Sequence, residues 1–177
     1  IGELSLDGSV KAIHGALAIA QHAKEQGFKK LFLPAKNAKE ASLIGDLQIY
    51  PIKNLQELIS FSKNQSCLNF HPTDTFERIK KGLGNRQSSN LFSQIIGLEM
   101  AKRALCVAAA GGHNFLLIGP PGTGKTILAR AFADLSPVMS NKEIFETTKI
   151  FSIAGMLEEE FPIILQRPFR EVHHTAS

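Results

Sequence analysis

The twelve residues Phe115-Leu116-Leu117-Ile118-Gly119-Pro120-Pro121-Gly122-Thr123-Gly124-Lys125-Thr126 constrain this chain more than any other stretch. Four apolar residues in a row, without alternation, predict a strand buried on both faces of a parallel sheet. Immediately after them stand Gly, four residues, then Gly-Lys-Thr, the pattern of a phosphate-binding loop. Several backbone N–H groups must point inward at an anion there, and glycines permit the positive dihedrals and close approach that a concave loop needs. Gly122 and Gly124 are the residues least open to replacement. Lys125 supplies a point charge for the β- and γ-phosphates and Thr126 a hydroxyl for Mg²⁺, while a helix over 125–134 turns its positive dipole end to the same anion. Three independent effects converge on a nucleoside triphosphate. The bland alternative, a glycine-rich turn joining a strand to a helix, explains none of them.

Composition narrows the rest. Hydrophobic residues at 44% and charged residues at 20% exclude a chain that is disordered throughout. The formal charge is +4, and residues 1–88 hold twelve basic and eight acidic side chains against eight of each in 89–177. The excess lies in the first half and is too diffuse to establish a polyanion partner. The longest nearly apolar stretch, 104–112, is far short of the ~20 residues that span a bilayer, so no membrane segment is expected. Two cysteines, Cys67 and Cys106, make no disulfide framework and point to a reducing, cytoplasmic compartment. Cys67 and His71 have no second ligand pair to complete a zinc site. A chain beginning at Ile1 reads as the interior of a longer polypeptide.

Residues 1–63 read as a compact α/β unit. Gly2 to Ile13 predicts a hairpin around Asp7-Gly8, with Leu4 and Leu6 facing Val10 and Ala12 or Ile13. Ala16, Leu17, Ala20 and Ala23 recur at helical spacing until Gly27 stops the helix. A strand over 30–33 closes at Pro34, and Asn37 is placed to cap a helix over 38–43. A strand over 47–52 contains Pro51, and Asn54 caps a helix over 55–61 with Leu55, Leu58 and Ile59 on one face. Residues 64–91 are rich in Asn, Gln, Ser, Pro and Thr. Arg78, Lys80, Lys81 and Arg86 lie around a helical piece over 75–81, and the whole reads as a linker. Beyond it, Leu98, Ala101, Leu105 and Ala108 share one face of a helix over 98–110 that Gly111-Gly112 ends. Ser140 and Glu143 have capping-box spacing for a helix reaching Ile150. Glu158-Glu159-Glu160 reads as a solvated turn.

Gly-Pro-Pro-Gly-Thr-Gly-Lys-Thr resembles the Walker A motif of AAA+ ATPases, and Ile95-Ile96-Gly97-Leu98-Glu99 is similar to the box that holds adenine in that superfamily. Phe151-Ser152-Ile153-Ala154-Gly155, then Arg167-Pro168-Phe169-Arg170 and His173-His174-Thr175-Ala176-Ser177, resemble the magnesium-chelatase-like branch. Gly2-Glu3-Leu4-Ser5-Leu6-Asp7-Gly8 through Ile13-His14-Gly15 resembles the second half of a Lon-protease-like domain. A Lon-like unit preceding the ATPase resembles the ComM/YifB family of bacterial competence-associated ATPases. The fold class implied is α/β: a Lon-like (S5-type) unit over 1–63, a linker over 64–91, and the start of a P-loop AAA+ three-layer α/β/α domain over 92–177. The resemblance implies ATP and Mg²⁺ as cofactors, with a nucleotide site of Ile95, Ile96, Gly97, Gly119, Pro120, Pro121, Gly122, Thr123, Gly124, Lys125 and Thr126. Thr126 would reach the metal through the nucleotide.

Two departures from the family pattern matter. Leu17 stands where the Lon-like pattern has its catalytic lysine, and a leucine cannot deprotonate a serine. Glu171-Val172 replaces the usual proline before His173 and His174, for which a loop role is the simpler reading, since adjacent side chains point apart. AAA+ hydrolysis also needs Walker B carboxylates after a hydrophobic strand and an arginine from a neighbouring subunit. Residues 161–165 are apolar enough for that strand, yet Gln166-Arg167 comes next. The chain is therefore expected to end inside the ATPase core, with no catalytic residue of its own. The resemblance implies a parent that is a homohexameric, ATP-driven motor on DNA, performing branch migration in transformation and recombination. A chelatase-like motor that remodels a protein partner or drives metal insertion is the second reading, and a nucleotide-binding module the third.

Overall fold

Gly27 ends the helix around which the first part of the chain is built. In the computed structural model, which describes residues 1–63, 68–72 and 91–170, α1 runs Ala16–Glu25. Gly27 takes the left-handed turn beyond it (φ 81°), with its N–H on the Lys24 carbonyl and that of Phe28 on the Ala23 carbonyl. Ala16, Leu17, Ala20 and Ala23 form the buried face, as their spacing predicts.

The hairpin before α1 is shorter than expected. β1 (Glu3–Leu4) pairs antiparallel with β2 (Val10–Lys11), Leu4 opposite Val10. Leu6 does not face the partner strand; it sits fully exposed in the turn. The turn closes early because Asp7 accepts hydrogen bonds from the Ser9 hydroxyl (2.7 Å) and N–H (3.0 Å), while Gly8 N–H reaches the Ser5 carbonyl at 2.9 Å. The Ser9 hydroxyl, and after it the N–H, holds the Asp7 carboxyl below its usual value.

β3 (Lys30–Pro34) and β4 (Gln48–Ile52) lie parallel, in register from Lys30 opposite Gln48 to Pro34 opposite Ile52. Pro51 is accommodated inside β4, on whose outer side His71 N–H meets the Ile49 carbonyl at 2.7 Å. The crossover holds a 3-10 turn (Ala35–Asn37) and α2 (Ala38–Ala41). Asn37 does not cap α2. Its buried amide bonds the Ile13 backbone in both directions, accepting from N–H at 3.0 Å and donating to C=O at 2.9 Å, which satisfies two backbone groups where a cap would satisfy one. α3 (Leu55–Ser62) starts as expected: Asn54 accepts from Glu57 N–H (2.9 Å) and Glu57 from Lys53 N–H (2.8 Å). Its Leu55 and Ile59 remain exposed, however, while Phe61 packs on Phe32 and Tyr50.

Two compact units form, one of Ile1–Leu83 with Asn141–Ile164, the other of Gly84–Ser140 with Leu165–Ser177. Among its described residues the second is helical, with α4 (Leu91–Gln94), α5 (Glu99–Gly111) and α6 (Lys125–Leu135) around a core of Ile95, Leu105, Leu128 and Ala131. Gly112 (φ 64°) stops α5, with His113 N–H on the Ala108 carbonyl at 2.9 Å. Residues 115–118 are not the expected strand. Phe115 and Leu117 pack on the core while Leu116 and Ile118 are 81% and 88% exposed. A strand exists only where a neighbour takes its N–H and C=O groups, and no strand lies among the described residues of this unit. The mixed α/β class therefore stands, but a three-layer α/β/α sandwich is not formed by the described residues.

α7 (Asn141–Ile153), read from sequence as part of the second domain, packs against α1 in the first unit. It begins directly after Ser140 and buries Ile144, Thr148 and Ser152, four residues apart on one face. Residues 161–165 are not a strand either: Ile163 N–H bonds the Phe161 carbonyl, and Ile164 N–H bonds Thr148 Oγ1 at 3.1 Å. Glu158, Glu159 and Glu160 are exposed, and Glu159 pairs with exposed Lys36 at 3.4 Å. The helical piece over 75–81, Arg78, Lys80, Lys81, Arg86, Cys67 and residues 171–177 with His173 and His174 lie outside the described residues. No described helix is long and apolar enough to cross a membrane.

The buried carboxylate of Glu40 ties these pieces together. It accepts from Leu17 N–H (2.9 Å), from the Ser152 hydroxyl and from the Asn37 amide (3.4 Å). Glu40→Ala would leave a buried backbone donor and a buried hydroxyl without their acceptor, at about 1–3 kcal/mol each. Urea unfolding followed by circular dichroism should show a loss of about 2–4 kcal/mol in that variant, and less in Glu40→Gln, whose amide oxygen still accepts. An unchanged midpoint in both variants would show that the network is dispensable.

Candidate phosphate-binding site

The loop before α6 is shaped by two glycines. Gly122 and Gly124 have φ of 80° and 84°, the left-handed region that side chains rarely enter, whereas Gly119 has an ordinary φ. A Cβ on Gly119 would still meet Thr123 Oγ1 at 3.3 Å, so this glycine is needed for space. A Cβ on Gly122 would meet nothing within 4 Å, so there the need is conformational. Thr123 Oγ1 donates to the Pro120 carbonyl at 2.9 Å and closes the loop across its own backbone.

Lys125 lies over that loop. Its ammonium donates to the Pro120 carbonyl at 2.5 Å and to Thr123 Oγ1 at 3.4 Å, and neither partner carries a charge to neutralise it. Gly124, the N-cap of α6, brings no side chain to the helix start, and the first turn of α6 carries no acidic residue. The N–H groups at a helix start lack intrahelical partners and carry roughly +0.5 charge together. A cation, an uncapped helix start and a glycine-shaped loop thus face one place. That donor set fits a polyphosphate. Thr126 is exposed at the second position of α6, where a hydroxyl serves a phosphate-bound Mg²⁺.

Ile95, Ile96 and Gly97 divide. Ile95 is buried in the core of the second unit, and its side chain is packing; Ile96 is 95% exposed; Gly97 turns left-handed at φ 72°. The residue that the helical periodicity misplaced is Leu98. It is the N-cap of α5 and not a member of its apolar face, with φ 59° and ψ 35°. A non-glycine residue in that conformation costs about 1–2 kcal/mol. A Cβ on Gly124 would lie 3.5 Å from Leu98 Cδ1, so this side chain reaches the phosphate loop. Hydrophobic spacing carries no signal for a left-handed leucine, although the glycine before it marks a turn. Among the described residues no group of three or more His, Cys, Asp or Glu could hold a metal ion. Cys106 is exposed on α5.

Residues 91–177 match the family model described as magnesium chelatase, subunit ChlI, and residues 1–37 match that of subunit ChlI of Mg-chelatase, together more than half of the chain. Competence protein ComM of Haemophilus influenzae is 39% identical over 179 aligned residues, covering 100% of this chain and 34% of that protein. Protein YifB of Escherichia coli is 37% identical over 180, covering 100% and 33%. An archaeal Lon protease of Methanothermobacter thermautotrophicus is 36% identical over 93 residues, 47% of this chain and 14% of that protein. The chain thus spans about a third of the length of the relatives that match it throughout. Two chelatase-subunit matches and full-length alignments to ComM and YifB place it among magnesium-chelatase-like AAA+ proteins, and the chain belongs to the ComM/YifB family.

Proposed function

We propose that residues 119–126 bind the triphosphate of ATP with Mg²⁺, and that the whole protein is a cytoplasmic, hexameric ATPase that moves on DNA. The observation that carries the nucleotide reading is the convergence of Lys125, two left-handed glycines and an uncapped helix start with no acid in its first turn. Lys125 holds the β- and γ-phosphates, backbone N–H groups of the loop and of α6 take the equatorial oxygens, and Thr126 presents its hydroxyl to the metal. Bound Mg²⁺ would bridge phosphate oxygens and neutralise their charge. Ile96 and Gly97 form the base side of the site.

Support for a DNA substrate is the name of the Haemophilus relative, a competence protein, together with the basic excess of residues 1–88. The second reading, a motor acting on a protein partner or in metal insertion, is favoured by the chelatase description of the family model. The two separate on nucleic acid. The full-length protein with ATP should bind branched or single-stranded DNA, and its affinity should fall with added salt, because counterion release then gains less. Failure to bind DNA at any ionic strength would favour the protein-directed motor.

Lys125→Ala should abolish ATP binding by the 177-residue chain, while the unmutated chain binds ATP and turns over almost none. An ammonium ~4 Å from a phosphate gains on the order of 4 kcal/mol at an effective dielectric of ~20, before desolvation reduces it. Losing even half of that weakens binding more than tenfold, by roughly 1.4 kcal/mol per factor of ten. Isothermal titration reads the affinity and a phosphate-release assay the turnover. Unchanged binding in the lysine variant would sink the phosphate-loop assignment, and brisk turnover would reveal a catalytic acid within these residues.

A further inference from the structure

Leu98 holds a conformation that its side chain disfavours, and it is half exposed (46%), so burial alone does not account for it. Two consecutive residues, Gly97 and Leu98, are left-handed at φ 72° and 59°. The Leu98 carbonyl begins α5 by accepting from Lys102 N–H at 2.9 Å. The turn sends the side chain away from the α5 face and toward Gly124, where a Cβ would be 3.5 Å from Leu98 Cδ1. Gly124 is itself the left-handed N-cap of α6. The contact therefore joins the starts of two helices whose bodies already pack through Leu105 and Leu128.

One helix start carries the phosphate loop. The other comes directly after Ile96 and Gly97. A residue that keeps a strained backbone while touching the loop's last glycine is a candidate for function, since strain persists only where the surroundings over-determine it. Without the Leu98 side chain, nothing in this contact sets the spacing between the turn at residue 97 and the turn at residue 124. The phosphate loop, by contrast, keeps its own glycines, Lys125 and the Thr123–Pro120 closure.

We infer that Leu98 is a positioning residue that fixes the distance between the base side and the phosphate side of the nucleotide site, so that one ligand engages both. The inference rests on residues 119–126 being a nucleotide site. Two subsites joined by one ligand reinforce each other only when both can be occupied at once, and a loose spacing removes that gain without weakening either alone. Leu98 should therefore govern the advantage of ATP over inorganic tripolyphosphate, which has phosphates and no base. It should leave tripolyphosphate binding unchanged.

Two variants separate positioning from stability. Leu98→Ala removes the contact and keeps the left-handed strain; Leu98→Gly removes both, so its melting temperature should equal or exceed that of the unmutated chain. Titrations with Mg²⁺ and either ATP or tripolyphosphate should show ATP affinity falling about tenfold in both variants, roughly 1.4 kcal/mol, with tripolyphosphate affinity unchanged. The ratio of the two affinities is the readout that a general loss of folding would not move selectively. An unchanged ratio in both variants, or an equal fall for both ligands in the folded Leu98→Gly chain, overturns the inference and leaves the phosphate loop standing. Failure of the unmutated chain to bind either ligand overturns the nucleotide reading and the inference with it.

Discussion

A single buried carboxylate decides how the first unit is assembled. The start of α1 has the usual problem of helix starts: N–H groups without partners, a left-handed glycine as N-cap (Gly15, φ 77°) and no acidic residue in its own first turn. Glu40, from α2, supplies the missing acceptor to Leu17 N–H, and the same oxygen takes the Ser152 hydroxyl of α7. Gly15 N–H meanwhile bonds the Ser152 carbonyl at 3.0 Å. An anion at a helix start gains from the dipole as well as from the hydrogen bond, so the burial of Glu40 is offset on two counts. Three segments distant in sequence are fixed by one side chain.

The second unit meets the same physics differently. Its α6 also begins at a left-handed glycine with no side-chain cap and no acid in the first turn, but here a lysine stands at the first helical position. α1 draws its anion from within the fold. α6 adds positive charge to an end that is already positive, and that choice makes structural sense only if the anion arrives from solution. α5 takes a third course, with Glu99 in its own first turn and a leucine forced into the left-handed cap.

Local chemistry in the sequence foretold the parts governed by local chemistry. Gly27 and Gly112 end their helices, Asn54 caps α3, and residues 119–126 form a loop whose two left-handed glycines are Gly122 and Gly124. The failures share one cause, dependence on groups far away in the chain. Asn37 had the composition of a cap, yet its amide serves Ile13, 24 residues away. Residues 115–118 had the composition of a buried strand, yet a strand needs a partner that these residues cannot specify alone. Helix 141–153 was legible as a helix, but its place beside α1 depends on Ser152 finding Glu40, 112 residues earlier. Leu98 satisfied the helical period and still fell outside the helix, because its Cβ direction was decided by the turn at Gly97.

Leu17 joins the two themes. Where the Lon-like pattern has an amine to activate a serine, this chain has an aliphatic side chain that is fully buried among the residues of the first core. Its backbone N–H, by contrast, is engaged by Glu40. A lysine ammonium at that point would be drawn to the neighbouring carboxylate, whose oxygens already hold an N–H, a hydroxyl and an amide, and its desolvation would cost several kcal/mol unless that pairing were complete. With leucine, the pocket is filled by apolar contact and the carboxylate is left to its structural partners. The position that supplies a general base in the protease pattern therefore supplies core packing here, and the loss of that base is what gives Glu40 undivided use as the anchor of α1 and α7.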